Sequence, residues 1–476
     1  MGRYRTPETL QNYFPEEDGG RAGDGSAFFS FDMWIPLDAV RNVDAVLRAA
    51  TFSTVNSRTG ETSSICLGRI QNNHVVVARH LFTEEEWSER IPPYSKPHVD
   101  FEHFDFGDKI KPRNPAQQSA WDEFSKVDHG VLNLACGKGK TVMALKKIAQ
   151  RGHPAIVIVN NTGLMEQWIE RALEFLSVTR EDIGIVQGKK AEWDKPLVIA
   201  MVQTLANRAV KDDVPIEYRK RFGTVVFDEV HHLSAAKFSL TAPLFYGSRY
   251  GLTATPVRED GLENVYYSQI GGIFYSDVES DLDADIYVKE LDTDPPIDPA
   301  DIQDVTGEFS AGKLYKFLGE QRLRNEEIIE LVENALLKRR KIICLTHSAQ
   351  HPEILSNLVV DRKNWKSYKV GVVTGATPGE HRTDIISTSD VTFATFQVAK
   401  EGLDAPALDT VIFATPFSSW GGFQQGKGRV ERKYKGKKSP IAILIDDKSI
   451  SPAHRMCQKL RRKIALRKLK ITTIKA

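Results

Sequence analysis

The sequence predicts an α/β protein: two tandem parallel-sheet domains behind a small N-terminal accessory domain. Three observations support that class. Apolar runs of five to seven residues recur with helix-length stretches between them, the pattern of parallel strands covered on both faces. An acidic, proline-bearing segment interrupts the series at residues 276–320, and the same alternation restarts beyond it. The length of 476 residues also suits several domain cores.

Residues 1–108 form the accessory segment. It opens rich in Gly, Glu and Asp, and GRIQNNHVVVARHLF (68–82) then reads as two strands around an Asn72-Asn73 turn. The first sheet domain, 109–275, draws its strands from VLNLA (131–135), AIVIVN (155–160), PLVIAMV (196–202), TVVFD (224–228) and RYGLTAT (249–255). Residues 276–320, with SDVESDLDAD and DTDPPIDPAD, read as the interdomain connection. The second sheet domain, 321–476, begins with a helical stretch at 324–340. It continues through KIICLT (341–346), YKVGVVT (368–374), VTFATF (391–396), DTVIFAT (409–415) and PIAILI (440–445). Its final stretch, 455–476, has basic residues and no acidic one. Such a segment can pack on its own domain or touch duplex phosphates.

Composition excludes several classes. No apolar run approaches the ~20 residues that span a bilayer, and the mean hydropathy is −0.33. Lys and Arg number 64 against 63 Asp and Glu, so nucleic-acid contacts must come from local patches. The four cysteines (Cys66, Cys136, Cys344, Cys457) are widely spaced and form no Cys-x-x-Cys pair. That argues against a disulfide framework or zinc ribbon and points to a reducing, intracellular compartment.

Two stretches carry chemistry. LACGKGKT (134–141) links a buried-strand pattern to a helical one. There the bare amides around Gly137 and Gly139 and a helix N-terminus can hold a triphosphate, Lys140 can neutralise it, and Thr141 can ligate Mg²⁺. The general pattern has Gly at its first position, where this chain has Leu134. TVVFDEVHH (224–232) is a strand ending in an acidic pair. Asp228 can hold Mg²⁺ through its water shell, and Glu229 can orient or deprotonate the attacking water.

"DEVH" is a DExH box, and seven further segments stand in order around it: NPAQQSA (114–120), NNTGLMEQW (160–168), VQTL (202–205), YGLTATPVRED (250–260), CLTHSAQH (344–351), ATFQVAKEGLDAP (394–406) and QQGKGRVER (424–432). With that series the chain resembles the superfamily 2 DExH helicases over about residues 110–450. The resemblance implies two RecA-like lobes that close on ATP and Mg²⁺. It makes Lys140, Asp228, Glu229, Arg429 and Arg432 catalytic, the two arginines reaching across from the second lobe. The nucleotide site would comprise Gln117 as adenine reader, Gly137, Gly139, Lys140, Thr141, Asp404 and Gln425, with Thr141 and Asp228 on the metal. Thr253 and Thr255 would couple hydrolysis to strand contact, and Thr204, Thr395 and Gly402 would grip nucleic acid. Arg429 and Arg432, three apart, share a face if helical, and guanidinium groups suit transition-state charge on a phosphate.

Several residues invite a second reading. Trp168 can stack on a base, yet at helical spacing with Leu164 it reads as core. His347 and His351 are spaced as helical metal ligands without a third partner, and His232 reads as structural.

Details such as the Arg258-Glu259-Asp260 triplet resemble the XPB-like and UvsW-type branch, including compact phage enzymes such as that of bacteriophage T5. By that resemblance the expected function is an ATP-dependent DNA helicase or translocase. It would remodel forked or branched DNA in replication, recombination or repair, as a monomer inside the cell, in the bacterial cytoplasm if phage-encoded. An RNA-directed helicase, or a duplex translocase that separates no strands, would use the same catalytic residues.

Overall fold

The computed structural model describes residues 28–40, 42–55, 60–82, 99–258, 260–279, 282–292, 297–360, 365, 367–400 and 405–474. The chain divides into two compact units, Met1–Val278 and Glu279–Ala476.

The first unit begins with β1 (Phe28–Phe29), β2 (Met33–Pro36), α1 (Val43–Ala49), β3 (Thr51–Val55), β4 (Thr62–Cys66), β5 (Gly68–Gln71) and β6 (His74–Val77). An antiparallel sheet runs β1-β2-β6-β5, and β3 pairs with β4. The β5–β6 hairpin turns on Asn72 and Asn73 at φ 46° and 60°. Two left-handed residues match the right-handed twist of a tight hairpin, and Asn tolerates them. Met33, Ile35, Val75 and Val77 bury one face against Val43, Val46 and Leu47 of α1.

Two buried arginines fasten this sheet to the rest of the unit. Arg79 donates to the carbonyls of Ser30 (2.6 Å), Tyr246 (2.6 Å) and Gly247 (3.1 Å). Arg249 donates to those of Phe31, Gln269 (3.2 Å) and Phe245 (3.3 Å).

The unit continues with α2 (Pro115–Lys126), β7 (Gly130–Leu134), α3 (Lys140–Arg151), β8 (Ala155–Val159), α4 (Thr162–Phe175), β9 (Ile183–Gln187), β10 (Lys190–Ala191), β11 (Leu197–Met201), α5 (Val202–Val210), α6 (Ile216–Arg221), β12 (Thr224–Phe227), β13 (Ser248–Thr253), α7 (Glu263–Ile270) and β14 (Ile273–Asp277). Its sheet runs β10-β9-β11-β8-β12-β13-β7-β14, parallel except for β9–β10. Every residue of β7, β8 and β12 is buried, as expected where helices cover both faces.

The second unit comprises β15 (Asp285–Leu291), α8 (Ala311–Glu320), α9 (Arg322–Leu337), β16 (Ile342–Thr346), α10 (His351–Val360), β17 (Val370–Val373), α11 (Gly379–Thr388), β18 (Val391–Thr395), α12 (Phe396–Lys400), β19 (Thr410–Phe413), α13 (Trp420–Val430), β20 (Ile441–Asp447), α14 (Ser451–Leu466) and β21 (Ile471–Ile474). Its sheet, β17-β18-β16-β19-β20-β15-β21, is parallel throughout.

The segment 276–320, expected as a connection, is instead largely built into the two units. It holds the end of β14, then β15, which lies between β20 and β21, and α8. Ile286, Val288 and Leu291 of β15 are buried beside half-buried polar neighbours. A short alternating strand of that kind is hidden when composition is averaged over a long acidic stretch.

Candidate active site

Strands β12, β13 and β7 are neighbours in the sheet, so three segments distant in sequence end side by side at their carboxyl ends. That edge is where a parallel sheet presents ligand groups. After β7 the chain turns through residues 135–139 into α3, with Gly137 at φ 85° and Gly139 at φ 91°. Side chains resist this left-handed region. An added Cβ at Gly139 would come 2.7 Å from Gln117 Nε2, so the Gln117 amide would have to leave its place. Lys140 and Thr141 open α3, whose first-turn amides have no partner within the helix and favour an anion. Lys140 Nζ donates back to the Leu134 carbonyl at 2.9 Å.

Two neighbours hold this loop. Asp277, ending β14, accepts from Lys138 Nζ at 2.6 Å, and its carbonyl accepts from the Ala135 amide at 2.9 Å. From the other side, Gln117 Oε1 accepts from the Arg113 amide (2.9 Å) and its Nε2 donates to the Lys138 carbonyl (3.1 Å). One N–H and one lone pair of that amide remain, the pair that matches the amino and N7 edge of an adenine.

On the acidic side, Asp228 follows β12. Its Oδ2 accepts from the Trp168 indole at 2.8 Å and its Oδ1 from the Glu229 amide at 3.0 Å. Burial, and then the adjacent Glu229, push the Asp228 carboxyl up to about 6, while the Trp168 hydrogen bond and Lys140 pull it down. Trp168 is fully buried in α4, so it is core as read, and it also holds the Asp228 carboxylate in place. Glu229 sits at φ 46°, ψ 54°, a left-handed backbone that costs a non-glycine residue on the order of 1–3 kcal/mol and collects at functional sites. Its Oε2 is buried and accepts no hydrogen bond from the described residues; His231 Nδ1 lies 3.4 Å away.

The DExH box is linked onward to β13. His231 Nδ1 lies 3.3 Å from Thr253 Oγ1, which accepts from the Thr255 amide at 3.0 Å. Arg258 donates to the His231 carbonyl at 2.5 Å and grips Asp260 with two nitrogens, at 2.9 and 2.5 Å; Glu259 lies outside the described residues. The His232 ring lies 4.4 Å from that of His231.

These residues fit ATP with Mg²⁺. Left-handed glycines that leave the loop amides bare, a cation folded over the loop, a hydroxyl and a buried carboxylate form the donor set of a triphosphate cradle. Among the described residues no group of three or more metal-binding side chains gathers. One carboxylate and one hydroxyl suit an ion that keeps most of its water and takes phosphate oxygens.

Of the strand-gripping candidates, Thr204 lies on α5, where its hydroxyl accepts from the Gly188 amide at 2.9 Å. Beside it Gln203 donates to the Asn160 carbonyl at 2.7 Å, tying VQTL to the segment that opens α4. In the second unit Thr395 ends β18 and is buried, whereas Gly402 and Asp404 lie outside the described residues. Gln425 and Arg429 lie on α13, but the helix ends at Val430, so Arg432 stands beyond it and shares no helical face with Arg429. Helix α13 packs close on the sheet, for a Cβ at Gly426 would meet Phe413 at 2.6 Å. His347 donates or accepts at Thr415 Oγ1 (2.7 Å) and stacks on Phe396, while His351 is buried against Asn325. Both rings serve the packing of their unit.

Residues 109–258 match the family model described as "Type III restriction enzyme, res subunit", and residues 324–434 match "Helicase conserved C-terminal domain". The "DNA 3'-5' helicase XPB" of Kineococcus radiotolerans is 35% identical over 180 residues, which cover 37% of this chain and 32% of that protein. The chain therefore spans about a third of that relative's length. The probable helicase of Escherichia phage T5 is 26% identical over 343 residues, covering 70% of this chain and 71% of its own. Among solved structures, a fragment of a putative HsdR subunit of a type I restriction enzyme from Vibrio vulnificus aligns with TM-score 0.52 and 16% identity, over 90% of this chain and 78% of its own. That likeness shows the two-sheet fold. No helix among the described residues is long and apolar enough to cross a membrane.

Proposed function

We propose that the chain, which matches the restriction-enzyme res-subunit model and the helicase C-terminal model in tandem, is a superfamily 2 ATP-driven motor on nucleic acid that remodels forked or branched DNA. The observation that carries the motor reading is the convergence of the Lys140 loop, Asp228 and the strained Glu229, with its undonated buried oxygen, at the ends of adjacent strands. Gln117 orients the base, and the loop amides with Lys140 hold the phosphates. Mg²⁺, when bound by Thr141 and Asp228, neutralises phosphate charge. Glu229 Oε2 accepts a hydrogen bond from the attacking water and draws off its proton. From the motif they occupy, Arg429 and Arg432 supply positive charge to the reaction. The chain from His231 to Thr253 and Thr255 carries the state of the site towards the strand-gripping segments. DNA rather than RNA is supported by the named activity of the XPB relative.

Steady-state ATP hydrolysis at fixed salt tests the reading, with no nucleic acid, single-stranded DNA, blunt duplex, a four-way junction and single-stranded RNA. The junction is expected to stimulate most. Stimulation by RNA alone overturns the DNA assignment, and maximal stimulation by blunt duplex without strand release from a fork points to a duplex translocase. Glu229→Gln is expected to abolish turnover and keep ATP binding; unchanged turnover would remove Glu229 from the mechanism.

A further inference from the structure

We propose that the outer face of α14 and the turn after it form a second nucleic-acid surface that takes the phosphate backbone of duplex DNA. The charge distribution leads there. The last 26 residues carry nine Lys and Arg and no Asp or Glu, while the whole chain has a net charge of +1. The preceding 450 residues are therefore net negative by eight, and the chain's positive charge is gathered at this end.

The structure separates seven of these cations into two sets. Arg461 reaches Asp446, Glu290 and Thr473, Lys463 donates to the Ser418 carbonyl, and Arg467 lies 4.0 Å over the Trp420 ring. Those three secure the helix to its own unit. Lys459, Arg462, Lys468 and Lys470 are exposed, and their side chains make no hydrogen bond or ion pair among the described residues.

Structural need does not account for the second set. Cations near a helix C-terminus complement its dipole, but Arg455 and Lys459 lie in the first and middle turns, and Arg455–Lys459 and Lys459–Lys463 are like-charge pairs at i, i+4, which weaken a helix. Arg455, which also donates to Ser451 Oγ at 2.7 Å, Lys459 and Arg462 form a stripe about 10 Å long at 1.5 Å per residue. The apolar face of α14 (Ala453, Cys457, Leu460, Ile464) is buried in the unit. Apart from Leu466, 81% exposed at the end of the helix, the outer face carries charge and no apolar stripe for a bilayer, which fits a polyanion read without regard to sequence.

The proposal rests on the motor reading for the identity of the polyanion. Duplex DNA binding is measured by fluorescence anisotropy across a salt series for the full chain and for the combined variant Lys459→Gln, Arg462→Gln, Lys468→Gln, Lys470→Gln. A second variant, Lys313→Gln, Lys316→Gln, Lys338→Gln, removes exposed charge from α8 and the end of α9. The slope of log affinity against log salt is about 0.9 per phosphate contact. The α14 variant is expected to lose about 2–4 from the slope's magnitude and at least tenfold in affinity at low salt, with ATP hydrolysis in the absence of nucleic acid unchanged. The α8–α9 variant is expected to keep the wild-type slope. An unchanged slope in the α14 variant, or an equal loss in both variants, overturns the surface and leaves the motor standing. A wild-type chain that hydrolyses ATP but binds no DNA overturns both.

Discussion

Replacing Trp168 with Phe keeps an aromatic ring in the core but removes the N–H that Asp228 Oδ2 accepts. A buried acceptor that loses its donor costs about 1–3 kcal/mol, so the melting temperature should fall modestly. The catalytic consequence is separable. The Trp168 bond favours the charged carboxylate; without it Asp228 holds a cation less well, and the Mg²⁺ concentration for half-maximal hydrolysis should rise several-fold while KM for ATP at saturating Mg²⁺ stays near wild type. An unchanged Mg²⁺ midpoint would reduce Trp168 to packing. Gly139→Ala tests the other side of the site. It places a side chain at φ 91° against Gln117, strain of about 1–2 kcal/mol before any clash, and should abolish nucleotide binding in equilibrium titration while circular dichroism stays unchanged. Lys140, Asp228 and Glu229 stand out as candidates in the sequence because each sits in a short pattern whose chemistry is local. Trp168 and Asp277 were not readable as site residues, because the groups they hold, Asp228 and Lys138, are distant in the chain and meet them through the sheet order.

The elements show the same division between local and long-range information. The central strands announced themselves as continuous apolar runs because both faces are covered. Strands β14 and β21 are sheet edges and β9 and β15 lie next to edges; β14 and β21 have mostly half-buried or exposed residues, so their runs are broken by polar residues. Helix α10 makes a prediction that spacing alone could not. Its first residue, His351, is fully buried, with Nε2 2.9 Å from Asn325 Oδ1, and Asn325 Nδ2 donates to the Gly319 carbonyl. The Asn oxygen therefore faces the ring, and Nε2 carries the proton. Burial, and then Arg324, hold the His351 pKa down at about 3, against ~6.5 in an unfolded chain. Below that value the unfolded chain takes up a proton that the folded ring refuses. This contribution to stability is full above pH ~6.5 and is lost as pH falls towards 3. His351→Gln keeps a donor for Asn325 and should flatten the decline of melting temperature between neutral and acid pH. Identical pH slopes for the two proteins would show that this ring does not set the acid sensitivity.

At the scale of the molecule, the tandem organisation was legible because the strand pattern restarts, whereas the attachment of the N-terminal sheet was not. Arg79 and Arg249 look like ordinary surface cations in sequence, yet each is buried and spent on backbone carbonyls contributed from both sides of the junction. The rings of His80 and His129 stack across it at 4.0 Å, and the His80 amide donates to the Ser268 carbonyl. A buried arginine carries a desolvation cost, which lowers the Arg249 pKa well below its usual value, so this junction depends on the carbonyls that meet its two terminal nitrogens. The consequence is that the sheet at 28–82 and the parallel sheet behind it should open as one body rather than as a loose appendage and a domain. Arg79→Ala strips donors from the Ser30, Tyr246 and Gly247 carbonyls together and should destabilise the unit by about 3 kcal/mol or more. Hydrogen exchange discriminates between the alternatives. In the wild-type chain the amides of β2 and β6 should exchange with the same opening free energy as those of β12 and β13, and in Arg79→Ala the first pair alone should exchange faster. Early exchange of β2 and β6 in the wild-type chain would mean that the N-terminal sheet opens independently despite its arginines.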